Sequence, residues 1–226
     1  MWDMKTVAII PARGNSKGIQ KKNVANLAGK PLLVYSIEQA LQSSFIDKVV
    51  VSSDDDAILN VAKKFAVETI RRPPEFSHDT APMDGVIKHA LDILIKQNYE
   101  ADLVVLLQPT SPLRRLNTVN SAISAFIKNR NKFDSLMPLS ETSSKVGTLE
   151  NKRFVPSYFP GAQRQELEKT YFDCGTIHIF KPEIIRAGKF FGERIYGFFI
   201  DWPESLDIDE TDDMKLAEYF LMNLKQ

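Results

Sequence analysis

The stretch TVAIIPARGNSKGIQKKN, residues 6–23, joins a short apolar run to a polar, basic loop. Residues 6–10 are mostly apolar and β-branched, which predicts a buried β-strand. The chain then becomes basic and glycine-containing, with Arg13, Lys17 and Lys22 close together. In parallel α/β sheets, ligands bind beyond the carboxyl ends of the strands. This order therefore predicts a binding loop directly after the first strand.

Short apolar runs and amphipathic stretches alternate along the first part of the chain. The pattern predicts strands over 6–10, 48–53, 67–72 and 102–108, and helices over 31–42, 55–66, 84–97 and 118–129. Such alternation is typical of a doubly wound, mostly parallel α/β sheet. The run 102–108 is the most apolar, so we expect it at the centre of the sheet.

The pattern becomes irregular after about residue 135. We expect strands over 133–139, 175–180 and 193–202, with a polar stretch between the first two. A final helix is predicted over 211–226, with Thr211 as its cap and acidic residues in its first turn. The length of 226 residues fits a single domain, 1–226, with a smaller lobe in this irregular part.

The composition excludes several classes of function. Lysine plus arginine equal aspartate plus glutamate at 29 each, so the chain is not built to coat nucleic acid or an anionic membrane. The single cysteine, Cys174, can form no internal disulfide, which favours a reducing compartment. The apolar run in the first ten residues is too short for a signal peptide or a membrane span. We therefore expect a cytoplasmic protein.

The basic loop has the chemistry of an anion site. Successive backbone N–H groups in a glycine-containing turn can form an anion-binding nest, and an Arg such as Arg13 binds phosphate oxygens in pairs. This predicts a polyphosphate ligand. The loop matches neither the P-loop nor the dinucleotide-binding pattern. A solvated basic loop without a ligand stays open as the alternative.

A second candidate site is SLDIDETDD, residues 205–213. In an extended segment, Asp207 and Asp209 lie on one face while Ile208 points into the core. Two such carboxylates suit Mg²⁺, which often binds one or two carboxylates together with substrate phosphates. The alternative is a set of acids at a helix entry. A third candidate, QPTSPLR at 108–114, places the Gln108 amide at the end of the central strand.

Four motifs, IIPARGNSKGIQKKN, RRPPEFSHDTAP, LLQPTSPLR and SLDIDETDD, resemble those of CMP-sialic acid synthetases in order and spacing. These enzymes are cytidylyltransferases that activate nine-carbon nonulosonic acids. The resemblance implies a Rossmann-like nucleotidyltransferase fold. It also implies transfer of CMP from CTP to the anomeric C2 hydroxyl of the sugar acid, with release of pyrophosphate. A homodimer follows too, with about 137–190 as its dimerisation lobe.

The resemblance also implies site residues. Catalytic roles fall to Arg13, Lys22 and Asp209, and an Mg²⁺ site to Asp207 and Asp209. The sugar side would be formed by Gln108, Lys145, Arg164 and His178. The residues implied around the nucleotide are Ala12, Arg13, Gly14, Asn15, Ser16, Lys17, Lys22, Asn23, Asp79 and Thr80.

The segment YFDCGTIHIF, residues 171–180, departs from the family pattern. Sialic acid members tend to carry Arg-Pro-Asn-Gly there, and only Gly175 is retained. The acceptor therefore stays open among N-acetylneuraminic, legionaminic and pseudaminic acid. A cytidylyltransferase for the eight-carbon acid Kdo and a nucleotide-binding module without turnover are the alternatives. Pyrophosphate release separates the module from the enzymes.

Overall fold

The computed structural model describes residues 4–78, 80–142 and 144–223. The strands in these described residues are Thr6–Pro11 (β1), Asn26–Leu27 (β2), Lys30–Pro31 (β3), Lys48–Ser53 (β4), Glu68–Arg71 (β5), Leu103–Leu106 (β6), Ser135–Thr142 (β7), Gly147–Glu150 (β8), Arg153–Pro156 (β9), Thr170–Asp173 (β10), His178–Phe180 (β11) and Ile195–Phe199 (β12). The α-helices in the same residues are Leu32–Gln42 (α1), Asp56–Lys63 (α2), Met83–Lys96 (α3), Leu116–Asn129 (α4), Pro182–Arg186 (α5) and Thr211–Asn223 (α6).

Eight strands form one sheet in the order β10-β7-β11-β6-β1-β4-β5, with β12 paired to β7. The pairs of β1 with β4 and β6, of β4 with β5 and of β7 with β12 are parallel. Strands β10 and β11 run antiparallel to their neighbours. The predicted doubly wound, mostly parallel sheet is confirmed, and β6 lies at its centre as expected.

Helices cover both faces of the sheet because the strand residues alternate between two apolar layers. In β1, Ala8 and Ile10 pack in the layer beneath α1, α2 and α4. Val7 and Ile9 pack in the opposite layer, beneath α3 and α5. All four side chains are fully buried. This is the pattern of a strand that is covered on both sides, which explains why its sequence is almost continuously apolar.

Two helix starts show how local hydrogen bonds fix the chain near the cleft. The Asp55 carboxylate accepts hydrogen bonds from the N–H groups of Ala57 and Ile58, which caps α2. Helix α6 includes Thr211 as its first residue, so Thr211 is not the cap that the sequence predicted, and the cap position lies one residue earlier. At this end the Asp213 carboxylate reaches back and accepts from the N–H groups of residues 209 and 210.

The irregular segment 137–190 is divided between two sheets. Strands β10 and β11, and the part of β7 that lies within this segment, belong to the main sheet. Strands β8 and β9 pair with each other in a separate hairpin. The hairpin of β8 and β9 was missed from the sequence because most of its side chains are exposed, which leaves no apolar alternation to detect. Within the described part of the chain, no helix has both the length and the apolar character needed to cross a bilayer.

Candidate active site

A cleft of about 550 Å³ opens where β1, β5 and β6 end. We call it the strand-end cleft. The loop after β1 lines one side of it, and the segments around Gln108 and Asp207 line others. It is the place where a parallel sheet binds ligands. Eight predicted site residues line it together: Arg13, Ser16, Lys17, Lys22, Asn23, Gln108, Asp207 and Asp209.

The basic loop is held in place by its own backbone. The N–H of Ala12 donates to the carbonyl of Ser52, and the N–H of Gly14 donates to Asp54 Oδ1 at 2.9 Å. A side chain at Gly14 would meet Asp55, since its Cβ would lie 2.7 Å from that residue's Cβ. These two amides are paired within the protein. These two N–H groups are therefore not available to form an anion-binding nest.

Lys22 joins the basic loop to the carboxylate segment. Its Nζ donates to the carbonyl of Ile208 at 2.5 Å and to Asp209 Oδ1 at 3.2 Å. Only 9% of Lys22 is exposed, so the ammonium group is fixed by these partners rather than by solvent. A cation placed this way can offset negative charge in the cleft with little reorganisation.

The carboxylates of Asp207 and Asp209 share one face of an extended segment, as the sequence predicted. Both residues are exposed, whereas Ile208 between them is fully buried and donates its N–H to the carbonyl of Thr110 at 2.8 Å. The cleft walls around Asp207 desolvate its carboxyl group and raise its pKa. The charge of Asp209 adds to this rise, while a hydrogen bond from Thr110 opposes it.

The described residues contain no group of three or more His, Cys, Asp or Glu side chains that could hold a metal ion. The pair of Asp207 and Asp209, which the sequence predicts as a metal site, is smaller than such a group. Two carboxylates on one face of a cleft fit a hard cation such as Mg²⁺, which takes its other ligands from substrate phosphates and water.

Gln108 follows β6, and the protein holds it from two sides. Its carbonyl accepts from Arg114 Nη2 at 2.9 Å and from the Ser36 hydroxyl at 3.1 Å. Its side-chain Nε2 donates to the carbonyl of Gly175 at 3.4 Å. Arg114 is 2% exposed, and burial lowers its pKa to about 9, against the attraction of Glu204. The Gln108 amide thus enters the cleft in one orientation.

Arg72 lines the cleft and was not assigned a role from the sequence. Its guanidinium donates to the carbonyl of Ser52 at 2.8 Å and to that of Phe76 at 3.3 Å. Burial lowers the pKa of Arg72 to about 10, although the charge of Asp54 acts in the other direction. The signal that could have found it is its position at the end of the predicted strand 67–72, in the motif RRPPEFSHDTAP.

Several predicted residues lie outside the cleft lining. Ala12 and Gly14 lie within the basic loop, and Asn15 is exposed on it. Thr80 contacts the neighbouring His78, with its hydroxyl 3.0 Å from Nδ1. Asp79 lies outside the described residues.

Two of the residues predicted on the sugar side belong to the segment between β7 and β10. Lys145 is exposed, and its Nζ donates to the carbonyl of Ala162 at 2.7 Å and lies over the Tyr158 ring. Arg164 begins a short 3₁₀ turn, Arg164–Glu166. Lys145 does not line the cleft of this chain.

His178 is buried rather than open to the cleft. It is 2% exposed, and its ring packs against Phe180, Phe190 and Phe191 with centroids 5.5 to 6.2 Å apart. Its Nε2 lies 2.9 Å from a carboxylate oxygen of Asp173. The structure therefore does not bring His178 into the cleft with Gln108.

Curated relatives span nearly the whole chain. It is 32% identical to a pseudaminic acid cytidylyltransferase of Campylobacter jejuni, over 95% of each chain. It is 33% identical to a CMP-N,N'-diacetyllegionaminic acid synthase of Legionella pneumophila, over 99% of this chain and 98% of the relative. An N-acylneuraminate cytidylyltransferase of Escherichia coli is 32% identical over 94% of this chain, which spans 51% of that relative's length. The resemblance seen in the sequence is confirmed.

A solved structure and a family model agree with these relatives. The structure of a CMP:2-keto-3-deoxy-manno-octonic acid synthetase complexed with CTP superposes with a TM-score of 0.71. At 18% identity, with 96% of this chain and 98% of that chain covered, it supports the fold alone. The family model described as Cytidylyltransferase matches residues 7–223. The chain therefore belongs to the cytidylyltransferase family.

Proposed function

We propose that this chain transfers CMP from CTP to the anomeric hydroxyl of a nonulosonic acid. The observation that carries the proposal is the junction of Lys22 with Asp209, which puts a fixed cation and a carboxylate pair in one cleft with the basic loop. A triphosphate needs both cations and a metal site. The relatives named as pseudaminic, legionaminic and N-acylneuraminic acid enzymes support the nine-carbon class of acceptor.

In the proposed reaction, the C2 hydroxyl oxygen attacks the α-phosphorus of CTP and loses its proton. The bond from that phosphorus to the bridging oxygen breaks, and pyrophosphate leaves. Arg13 and Lys22 line the cleft, where they would neutralise the negative charge that grows on the pyrophosphate. Lys22 is already fixed by Ile208, so little of its binding energy is lost to ordering.

Asp207 and Asp209 would hold the metal ion, for which we propose Mg²⁺. When bound, it would neutralise phosphate charge and help to align the reacting groups. Ser16, Lys17 and Asn23 would contact the nucleotide from the same loop, as would Asn15. Ala12 and Gly14, whose N–H groups are paired within the protein, remain proposed as residues next to the nucleotide. Asp79 and Thr80 remain proposed nucleotide contacts.

On the acceptor side, Gln108 is proposed to contact the sugar acid directly. Lys145 and Arg164 lie in the segment that we propose as the dimerisation lobe, from which they would reach the cleft of a second copy. Exposed aromatic side chains support a homodimer. Tyr171 and Phe199 are each half-exposed, and their rings pack edge to face at 6.3 Å. Sedimentation as a monomer at micromolar concentration would contradict this part.

The proposed compartment is the cytoplasm, since the only cysteine, Cys174, is buried and free. A reducing environment suits such a thiol.

The test is pyrophosphate release from CTP and Mg²⁺ with N-acetylneuraminate, legionaminate, pseudaminate and Kdo in parallel. Release with a nine-carbon acid supports the proposal and identifies the acceptor. Release with Kdo alone would move the activity to eight-carbon acids. Binding of CTP without release with any acid would indicate a binding module. Asp209→Asn should abolish most release, whereas the exposed Asp212→Asn, on the nearby helix α6, serves as the matched control.

A further inference from the structure

The contact of the buried His178 with the more exposed Asp173 has a role that the cleft residues do not explain. His178 Nε2 lies 3.0 Å and 2.9 Å from the two carboxylate oxygens of Asp173. Both residues flank a short irregular segment between strands β10 and β11. That segment contains Gly175, which touches the cleft residue Gln108.

The contacts form a continuous path from the core to the cleft. Asp173 Oδ1 accepts a hydrogen bond from the N–H of Gly175 at 2.9 Å. The carbonyl of Gly175 then accepts from Gln108 Nε2. Gly175 has a φ of +71°, a conformation that favours glycine, and an added Cβ would lie 3.2 Å from Gln108 Nε2. A small change in this turn therefore reaches the Gln108 amide directly.

His178 is a rigid anchor for that path. Its ring is enclosed by Phe180, Phe190 and Phe191, and its Nδ1 has no hydrogen-bond partner among the described residues. The hydrogen on the ring is therefore best placed on Nε2, where it is donated to Asp173. Burial is the largest single influence on the pKa of Asp173 and would raise it. The hydrogen bond and electrostatic attraction of His178, together with the hydrogen bond from the N–H of Gly175, lower that pKa overall. The carboxylate thus stays charged and fixed at neutral pH.

The path also decides which way the Gln108 amide faces. A backbone carbonyl can only accept a hydrogen bond, so the NH₂ group of Gln108 faces Gly175. Its Oε1 atom is then left for the cleft. The residue would meet the acceptor sugar as a hydrogen-bond acceptor, and it would select a substrate that offers a hydroxyl or an N–H at that point.

We propose that Asp173 and His178 are positioning residues that fix the 173–176 turn and, through it, the orientation of Gln108 toward the sugar acid. This inference rests on the proposed function. In this inference His178 does not contact the substrate but acts on it through the turn and Gln108. The selectivity for the acid would then depend on a partly buried pair that lines neither the basic loop nor the carboxylate segment.

Two variants test the pair. His178→Phe keeps an aromatic ring in the cluster and removes the donor to Asp173. Asp173→Asn keeps the shape and removes the charge, and it serves if the first variant does not fold. Lys169→Ala is the matched control, because it breaks an exposed ion pair with Glu141 that flanks the same strand β10.

The first measurement is the KM for each substrate. His178→Phe removes the hydrogen bond to the charged carboxylate and should raise the KM for the sugar acid about tenfold. Asp173→Asn weakens the same bond by removing the charge, so it should raise that KM in the same direction. The KM for CTP should stay within about twofold, because the path does not touch the basic loop. In a Gln108→Ala background, Asp173→Asn should add no further rise. Equal changes for both substrates, or full additivity with Gln108→Ala, would overturn the proposal.

The second measurement does not require turnover. Cys174, the only cysteine, lies in the 173–176 turn at 3% exposure, with its Sγ 3.2 Å from the Thr176 hydroxyl. Burial raises the pKa of this thiol, so alkylation by iodoacetamide should be slow in the native protein. Both variants should alkylate about tenfold faster than the wild type at a temperature well below their melting temperatures, where global unfolding does not expose the thiol. Unchanged alkylation in the variants would overturn this proposal, whether or not the wild type releases pyrophosphate. Absence of pyrophosphate release from the wild type would instead reject the proposed function.

Discussion

Replacement of Gly18 by alanine tests whether the basic loop must approach the carboxylate segment closely. A Cβ at Gly18 would lie 2.2 Å from the backbone carbonyl oxygen of Asp209 and 3.2 Å from Glu210 Oε1. The first contact is with backbone, which cannot rotate away as a long side chain can. Either the loop or the segment 207–209 must therefore move.

The size of that movement follows from the contact distance. Ordinary contacts of a Cβ begin at 3.4 Å, so the two segments must separate by about 1 Å. Lys22 bridges the same two segments, hence its bonds to Ile208 and Asp209 would lengthen together. A misplacement of about 1 Å in an active site can lower the rate about 100-fold. We expect a loss of this order in kcat/KM.

The assay is pyrophosphate release at increasing Mg²⁺, with the melting temperature as the check on folding. Gly18→Ala should lower kcat/KM and raise the Mg²⁺ concentration at half-maximal rate, because the carboxylate pair moves relative to the loop. Gln20→Ala, an exposed change in the same loop, should behave as the wild type. If Gly18→Ala keeps its activity within about twofold and its Mg²⁺ dependence, the close approach has no catalytic role.

Three further changes test other parts of the cleft. Asp209→Asn should lower kcat at least about 100-fold at saturating Mg²⁺ with little change in melting temperature, whereas Asp212→Asn should not. Arg13→Ala should lower kcat as well as kcat/KM, and a change confined to the KM for CTP would limit Arg13 to ground-state binding. Ile208→Ala should cost about 3 kcal/mol in a urea titration and also lower kcat, whereas the equally buried Ile123→Ala should cost similar stability but leave kcat unchanged.

The layout of the sheet was predictable because its signals are local. The strand at 102–108 is apolar on both faces, and only a strand covered by helices on both sides tolerates that. The position of the loop after β1 was also predictable, because parallel strands end at the same edge of a sheet and the loops that follow them meet there. The alternation of exposed Asp207, buried Ile208 and exposed Asp209 was predictable because side chains of an extended segment point to opposite faces in turn.

The direction in which His178 points was not predictable from the sequence. A shift of one residue in the register of a strand exchanges its two faces, and the neighbouring Ile179 packs in the opposite apolar layer from Phe180. The hairpin of β8 and β9 was not predicted from the sequence, for a different reason. Its strands face solvent for most of their length, so their sequence shows no alternation of apolar and polar residues.

The carboxylate pair owes its position to packing at the other end of the chain. Leu206 and Ile208 are buried in a third apolar cluster with Leu27 and Leu32, beneath helix α6. This cluster fixes the segment that carries the acids against the hairpin that follows the basic loop. Lys22 then joins the two segments across 187 positions of sequence. The geometry for a triphosphate is therefore a product of tertiary packing: neither segment holds cations and carboxylates together until the ends of the chain meet.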